Sequence, residues 1–377
     1  MSFQTLSRLS SWLLGDRTSQ GLTLSVLLTT LLLSGCADTR YYWQSVTGHL
    51  AVMQAARSID HWLANDQTAT PLHQRLALAQ SIRQFSVTEL RLPDNASYKR
   101  FADLRRPYVV WNVVAAPESS LTLKTWCFPV AGCVGYRGYF EEADARALAA
   151  ELQEQGLEVS VYGVPAYSTL GWMNWAGGDP ILNTFVNYPD AELARMIFHE
   201  LAHQVEYVRD DTVFNESFAS AVERLGAAQW LAMRGTPEAR VAYAQLDRRR
   251  AQFRKLTRDT RQRLGQIYAS NGPQVLLNIG QLAMKRIAMS DFRLAYGELK
   301  KEWGGYSGYD AWVAQANNAA FAAQAAYDDL VPGFEALFVR QGRDWQRFYD
   351  AVRQLAKRSA SERGKLLKQM ALEQHLG

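Results

Sequence analysis

Apolar residues recur at helical spacing over most of the chain, except in a central segment. From residue 37 to about residue 95, apolar positions three residues apart predict helices. The pattern changes between residues 96 and 190, where residues 108–114 are rich in β-branched and aromatic side chains and predict a strand. Residues 157–164 predict a second strand, and the Ala-, Leu- and Glu-rich stretch at 141–155 between the two predicts a helix.

The chain after residue 190 has the pattern of one helix following another, separated by glycine and proline. Residues 185–187 indicate a short strand immediately before these helices. The expected fold class is therefore α+β and mostly α-helical, with a small β-sheet before the C-terminal helices. We divide the chain into an N-terminal helical segment at 36–95, a mixed α/β region at 96–190 and a helical region at 190–377.

The composition is that of an ordinary globular protein, with 48% hydrophobic and 21% charged residues in a chain of 377. The formal net charge is only +4. This value argues against a nucleic-acid partner, because phosphate binding requires clustered positive charge. One basic cluster, at 248–258, has a helical pattern with Asp247 and Asp259 beside it, so we interpret it as a solvated helix face.

The first 35 residues have the features of a signal peptide. Arg8 and Arg17 supply positive charge, and the apolar stretch at 22–33 is shorter than the ~20 residues of a transmembrane helix. The stretch ends in Leu33-Ser34-Gly35-Cys36, which resembles the bacterial lipobox. That resemblance implies a lipid on Cys36 and attachment to a membrane at its periplasmic face, in the outer membrane of a Gram-negative bacterium. A simple membrane anchor, or a cleaved signal with a chance cysteine, is the alternative.

Two further cysteines, Cys127 and Cys133, are separated by five residues. In an oxidising compartment such as the periplasm, a pair at this spacing can form a disulfide. The competing interpretation is a metal site, but no histidine lies nearby and two thiolates do not complete the coordination of zinc. We therefore expect a Cys127–Cys133 disulfide.

Residues 199–203 read His-Glu-Leu-Ala-His, an H-E-x-x-H motif. In a helix, positions i and i+4 lie on one face, so His199 and His203 can reach a single ion. Glu200 lies beside that face, where its carboxylate can accept a proton from a water that zinc activates. The stretch at 191–207 contains no glycine or proline, which favours the required helix. The alternative is that two helix-surface histidines flank a glutamate by chance.

A catalytic zinc site needs a third protein ligand and an open fourth position. Residues 215–223 read Asn-Glu-Ser-Phe-Ala-Ser-Ala-Val-Glu and begin a second predicted helix. With the H-E-x-x-H motif, this segment resembles the gluzincin aminopeptidases, in which the glutamate of an Asn-Glu-x-Phe-Ala motif is the third zinc ligand. The resemblance implies a zincin-like pair of helices that binds one zinc ion per chain, with Glu216 as a ligand. It also implies that Glu223 orients a ligand histidine and that Asn215 belongs to the same supporting shell.

The whole mature chain resembles a family of bacterial lipoproteins labelled as aminopeptidases, and the segments at 135–140 and 317–319 are part of that likeness. Two features depart from the well-known gluzincins. Only 12 residues separate His203 from Glu216, so the connecting loop is shorter. The chain also lacks the Gly-x-Met-Glu-Asn segment that helps the large zinc aminopeptidases bind the free amine of their substrates.

The predicted function is hydrolysis of N-terminal peptide bonds by a zinc aminopeptidase. A zinc endopeptidase or amidase that acts on periplasmic or cell-wall peptides is the first alternative, and a non-catalytic lipoprotein with structural zinc is the second. The intact Glu200 argues against the second, because a structural site has no use for a general base. The reaction also requires a group that stabilises an oxyanion. We predict Tyr309 for that role, or its neighbour Tyr306, in the glycine-rich loop at 303–309.

Overall fold

The structure is a computed structural model that describes residues 39–128, 132–166, 168–269 and 274–376. Residues 52–377 contain one compact unit, and the described residues 39–51 belong to a separate N-terminal unit. Cys36 and the predicted signal peptide lie outside the described residues. Within the described ranges, no helix is both long enough and apolar enough to cross a membrane.

Helices account for most of the described chain. In chain order they are α1 (39–55), α2 (Ile59–Leu63), α3 (Thr70–Thr88), α4 (Glu142–Glu154), α5 (Asp190–Ala202), α6 (Thr212–Arg234), α7 (Pro237–Tyr268), α8 (Gln274–Glu302), α9 (Asp310–Ala314), α10 (Asn318–Asp328), α11 (Val331–Arg340), α12 (Trp345–Ala356) and α13 (Ala360–Leu376). A short 3-10 helix covers Asn174–Ala176. Helix α6 is continuous over 23 residues, and it forms the long side of the site described below.

The strands form three small sheets. They are β1 (Arg57–Ser58), β2 (Arg100–Ala102), β3 (Val110–Pro117), β4 (Trp126–Phe128), β5 (Gly132–Val134), β6 (Arg137–Tyr139), β7 (Leu157–Val164) and β8 (Ile181–Leu182). Strand β3 lies in the middle of an antiparallel sheet with the order β6-β3-β7, in which Val113 pairs with Arg137 on one side and with Val161 on the other. Strands β1, β2 and β8 form a second sheet, and β4 and β5 form a hairpin.

The prediction of an α+β, mostly helical fold is confirmed. Strand β7 coincides with the predicted 157–164, and β3 lies two to three residues beyond the predicted 108–114. The strand predicted at 185–187 is wrong, because this segment forms a turn in which the backbone N–H groups of Phe185 and Val186 both donate to the carbonyl oxygen of Leu182. Phe185 and Val186 are only 1% exposed, so their apolar character reflects burial of the turn.

The largest part of the core surrounds helices α5 and α6. Phe198 from α5 and Phe218 from α6 are both fully buried, and α11 and α12 add Phe334 and Phe348 to the same cluster. Helix α6 lies close to α5 where it carries Gly226, since a Cβ atom at that position would be 2.9 Å from Cδ2 of Phe198. Full burial of side chains of this size fixes the two helices relative to each other.

Candidate metal centre

Helix α5 ends earlier than the sequence predicts. The helical pattern extends to residue 207, but the helix stops at Ala202 and His203 is its C-cap residue. The chain then turns, and the side chain of Asn215 stabilises the turn by accepting from the N–H of Val208 (2.8 Å) and donating to its carbonyl oxygen (2.7 Å). The early stop allows a short connection to return the chain to α6, which packs alongside α5.

The start of helix α6 is fixed by an acidic residue whose side chain is largely buried. Asp211 is the N-cap, and its Oδ1 accepts from the backbone N–H of Phe214 at 3.1 Å. Its Oδ2 accepts from Nη2 of Arg363 at 2.6 Å, an ion pair in which both side chains are largely buried. This capping sets the position of Glu216, which lies in the first two turns of α6.

The three predicted ligands converge. Nε2 of His199 lies 3.3 Å from Oε2 of Glu216, and Nε2 of His203 lies 3.7 Å from the same oxygen. One potential ligand atom from each residue lies within 4.8 Å of the others, and no side chain of the three is more than 12% exposed. Two ligand atoms at the usual zinc distances, in tetrahedral geometry, are roughly 3.3 Å apart. The three residues therefore could hold a metal ion.

The electrostatics of the three side chains favour a cation between them. Burial acts to lower the pKa of His199, but hydrogen bonds to Glu216 and Glu223 outweigh it and raise that pKa well above its usual range. Burial lowers the pKa of His203 to about 4, so this ring is neutral at pH 7 and keeps a lone pair. Burial acts to raise the pKa of Glu216, yet the two histidines hold it below its usual value. An ionised carboxylate thus faces a neutral imidazole, that of His203, and a second one, that of His199, which favours its protonated form in the absence of a metal ion.

Glu223 lies two turns after Glu216 on α6 and fixes the orientation of His199. The Nδ1–H of His199 donates to Oε2 of Glu223 at 3.1 Å, which leaves Nε2 facing Glu216. The other carboxylate oxygen of Glu223 pairs with Arg195, whose side chain is 10% exposed. Burial acts to raise the pKa of Glu223, but Arg195 and His199 lower it to about 2. An ionised carboxylate behind a ligand histidine is a common support of metal sites.

Glu200 lies beside the three potential ligands and is 8% exposed. Burial is the main cause that raises its pKa, and the charge of Glu216 contributes to a value of about 7, against the opposing effect of His199. Glu200 and His199 line a cavity of about 480 Å³. A carboxylate with a pKa near 7 in such a cavity can accept and return a proton at neutral pH.

Tyr309 lies on the wall of the same cavity, whereas Tyr306 does not line it. The ring of Tyr309 stacks on Phe253, with 4.0 Å between centroids and 11° between planes. Arg249 covers the ring of Tyr306 at 4.6 Å. The ring of Tyr309 therefore packs among the aromatic side chains of Phe253, Trp303 and Tyr306.

A different tyrosine, Tyr327 on α10, stacks against the ring of His199, with 6.3 Å between centroids. The charge of Glu216 is the leading cause that raises the pKa of Tyr327 well above its usual range. Burial raises the pKa values of Tyr136 and Tyr162, and the charge of Glu216 raises both further. Both tyrosines therefore lie close enough to Glu216 to interact with its charge. Tyr327 lines the cavity with His199 and Glu200.

The hairpin of β4 and β5 supports the loop between the two helices of the candidate metal centre. A disulfide joins Cys127 to Cys133. The backbone N–H of Cys133 donates to Oδ1 of Asp210 at 2.6 Å, and Asp210 immediately precedes the N-cap of α6. The cross-linked hairpin thus contacts the loop that connects His203 to Glu216.

Sequence reasoning did not find Arg195 or Tyr327. Arg195 lies four residues, or one turn, before His199 on the same face of α5. That spacing could have indicated it as a neighbour of His199. Tyr327 gave no local signal, because it is brought to the site by the packing of α10 against α6. Tyr136 lies within the segment at 135–140, which the resemblance to known lipoproteins singled out without a role.

No curated protein and no solved structure matches this chain. The model of one family, described as "Putative aminopeptidase", matches residues 40–367. The matched range covers well over half of the chain and includes both helices of the candidate metal centre. The chain therefore belongs to this aminopeptidase family.

Proposed function

We propose that the chain is a zinc-dependent aminopeptidase in which His199, His203 and Glu216 hold one ion per chain and Glu200 is the general base. The observation that carries this proposal is the convergence of the three potential ligands in a buried cluster beside Glu200. Two imidazoles and one carboxylate are a ligand set that catalytic zinc sites use. Membership of the aminopeptidase family supports peptide substrates.

Different residues of the cavity carry out different steps of peptide hydrolysis. When bound, a zinc ion supplies Lewis acidity, which polarises a carbonyl group and makes a water more acidic. Glu200 accepts the proton of the attacking water and passes it to the amine that leaves. In this proposal Tyr327, whose ring stacks on His199, donates a hydrogen bond to the oxyanion that forms.

The experiment combines metal content with activity in the protein that lacks residues 1–36. We compare the wild type with three variants. Two of them, Glu216→Ala and Glu200→Gln, change the site, and the control His73→Ala changes an exposed histidine remote in sequence. We expect about one zinc per chain in the wild type and in His73→Ala, less in Glu216→Ala, and an unchanged amount without activity in Glu200→Gln. Equal metal content in wild type and Glu216→Ala would contradict Glu216 as a ligand.

The same protein distinguishes an aminopeptidase from an endopeptidase or amidase. Peptides with a free N-terminus and their N-acetylated forms are assayed side by side. An aminopeptidase cleaves only the free forms and releases the first residue. Cleavage of both forms at an internal bond would favour the endopeptidase, which can use the same metal centre.

We also propose that Cys36 carries a lipid that attaches the enzyme to the outer membrane, at its periplasmic face. The proposal is supported by the Leu33-Ser34-Gly35-Cys36 sequence after an apolar stretch. Incorporation of a labelled fatty acid into the wild type, but not into Cys36→Ala, is the expected result. Equal incorporation would refute lipidation at this residue.

A further inference from the structure

Four arginines line the cavity that contains His199 and Glu200, namely Arg195, Arg224, Arg250 and Arg254. They extend from α5 and α6 to α7, and the carboxylates of Glu223 and Asp328 line the same cavity. Two of them, Arg195 and Arg250, are held in close ion pairs with Glu223 and Glu192. Their charges are already used to stabilise neighbouring side chains.

Arg224 and Arg254 are paired much more loosely. Nε of Arg224 lies 3.3 Å from Oε1 of Glu335, and Nε of Arg254 lies 3.7 Å from Oδ1 of Asp328. Within the part of the chain that the structure describes, neither guanidinium donates a hydrogen bond to another residue. Their terminal nitrogens, which form the planar fork that binds carboxylates in a bidentate manner, therefore form no hydrogen bond with the described side chains.

The two guanidinium groups are also partly buried, and both line the same two cavities. The side chains of Arg224 and Arg254 are 27% and 21% exposed. Burial lowers the pKa of Arg254, and the positive charge of Arg224 lowers it further. Glu335 and Asp328 offset part of the two charges, so the capacity to bind a further carboxylate lies in the hydrogen-bonding terminal nitrogens. Both arginines also line an adjoining cavity of about 230 Å³, so they lie where two cavities meet.

We propose that Arg224 and Arg254 bind a carboxylate of the substrate. The carboxylate is either the C-terminus of a short peptide or an acidic side chain of a longer one. This assignment rests on the proposed function, because it takes the cavity beside Glu200 as the place where the peptide lies. It limits the preferred substrates to peptides that present a negative charge within a few residues of the cleaved bond.

The test compares three dipeptide substrates, Leu-Ala, Leu-Ala-amide and Leu-Glu-amide, with the zinc-loaded protein. The variants are Arg224→Gln, Arg254→Gln and the control Arg248→Gln, which changes an exposed arginine of α7 for which no ion pair is found among the described residues. We expect kcat/KM for at least one carboxylate-bearing peptide to exceed that for Leu-Ala-amide by roughly 10- to 100-fold, as for hydrogen bonds to a charged group. That preference is lost in Arg224→Gln and Arg254→Gln and kept in Arg248→Gln.

The three peptides identify the source of the carboxylate. Preference for Leu-Ala over its amide assigns the C-terminus, and preference for Leu-Glu-amide over Leu-Ala-amide assigns the side chain. Equal rates for all three peptides in the wild type, or equal losses for all three in the arginine variants, would overturn the proposal.

Binding provides a second readout that does not require turnover. Calorimetric titration of the Glu200→Gln protein with the three peptides measures carboxylate recognition alone. Tighter binding of a carboxylate-bearing peptide supports the assignment if it is lost in the double variant Glu200→Gln/Arg254→Gln. This result holds even if the wild type hydrolyses none of the peptides. In that case the proposed function fails, but the carboxylate site does not. Equal binding of all three peptides refutes the assignment whatever the activity.

Discussion

Replacing Glu223 by glutamine tests whether this carboxylate prepares the metal centre. Glu223 accepts from Nδ1 of His199 at 3.1 Å and pairs with Arg195, and both members of that ion pair are at most 15% exposed. Loss of a carboxylate that orients a ligand histidine weakens metal binding about 10- to 100-fold, or about 1.4–2.7 kcal/mol. The variant also leaves the buried charge of Arg195 without its partner, which costs about 3–5 kcal/mol of folding stability.

Two assays separate these effects. Competition with a chelator measures zinc affinity, and urea unfolding in the presence of excess chelator measures stability without the contribution of the ion. The double variant Arg195→Met/Glu223→Gln removes the stranded charge, so we expect it to recover much of the stability while its zinc affinity stays low. Unchanged zinc affinity in Glu223→Gln, or full recovery of affinity in the double variant, would refute the role of Glu223 in orienting His199.

Three further predictions concern separate parts of the molecule. Phe218→Ala should lower the free energy of unfolding by about 3–5 kcal/mol, because the side chain is fully buried, and urea unfolding against wild type measures it. Tyr327→Phe should lower kcat about 100-fold if its hydroxyl stabilises the oxyanion; steady-state kinetics would contradict this if Tyr309→Phe had the larger effect. The double variant Cys127→Ala/Cys133→Ala should be less stable by about 2 kcal/mol, as expected for a short closed loop, and unchanged stability under oxidising conditions would refute it.

The parts of the fold that the sequence predicts are those with local causes. The Ala- and Glu-rich stretch at 141–155 and the β-branched stretch at 157–164 form a helix and a strand as predicted, because spacing and propensity act within a few residues. The prediction of a strand at 185–187 is wrong, since a buried apolar turn and a short strand have the same composition. The end of α5 at Ala202 could not be predicted either, because it depends on the contact between Asn215 and Val208 across the loop.

The candidate site shows the same division. The spacing of His199 and His203 on one helix is a local property, and the resemblance of 215–223 to a known motif indicated Glu216. The positions of Arg254 and Tyr327 on the same cavity depend on how α7 and α10 pack against α6, which no pattern along the chain encodes. Long-range packing therefore limits what can be inferred about substrate recognition more than what can be inferred about the metal ligands.

The central claim is that one zinc ion is bound by His199, His203 and Glu216. A crystal structure of the zinc-loaded protein, with diffraction data collected on both sides of the zinc absorption edge, tests it most directly. We expect one anomalous peak per chain, about 2.0–2.2 Å from Nε2 of each histidine and from a carboxylate oxygen of Glu216. Absence of a peak among these three residues at full zinc loading, or a peak at other side chains alone, would contradict the claim.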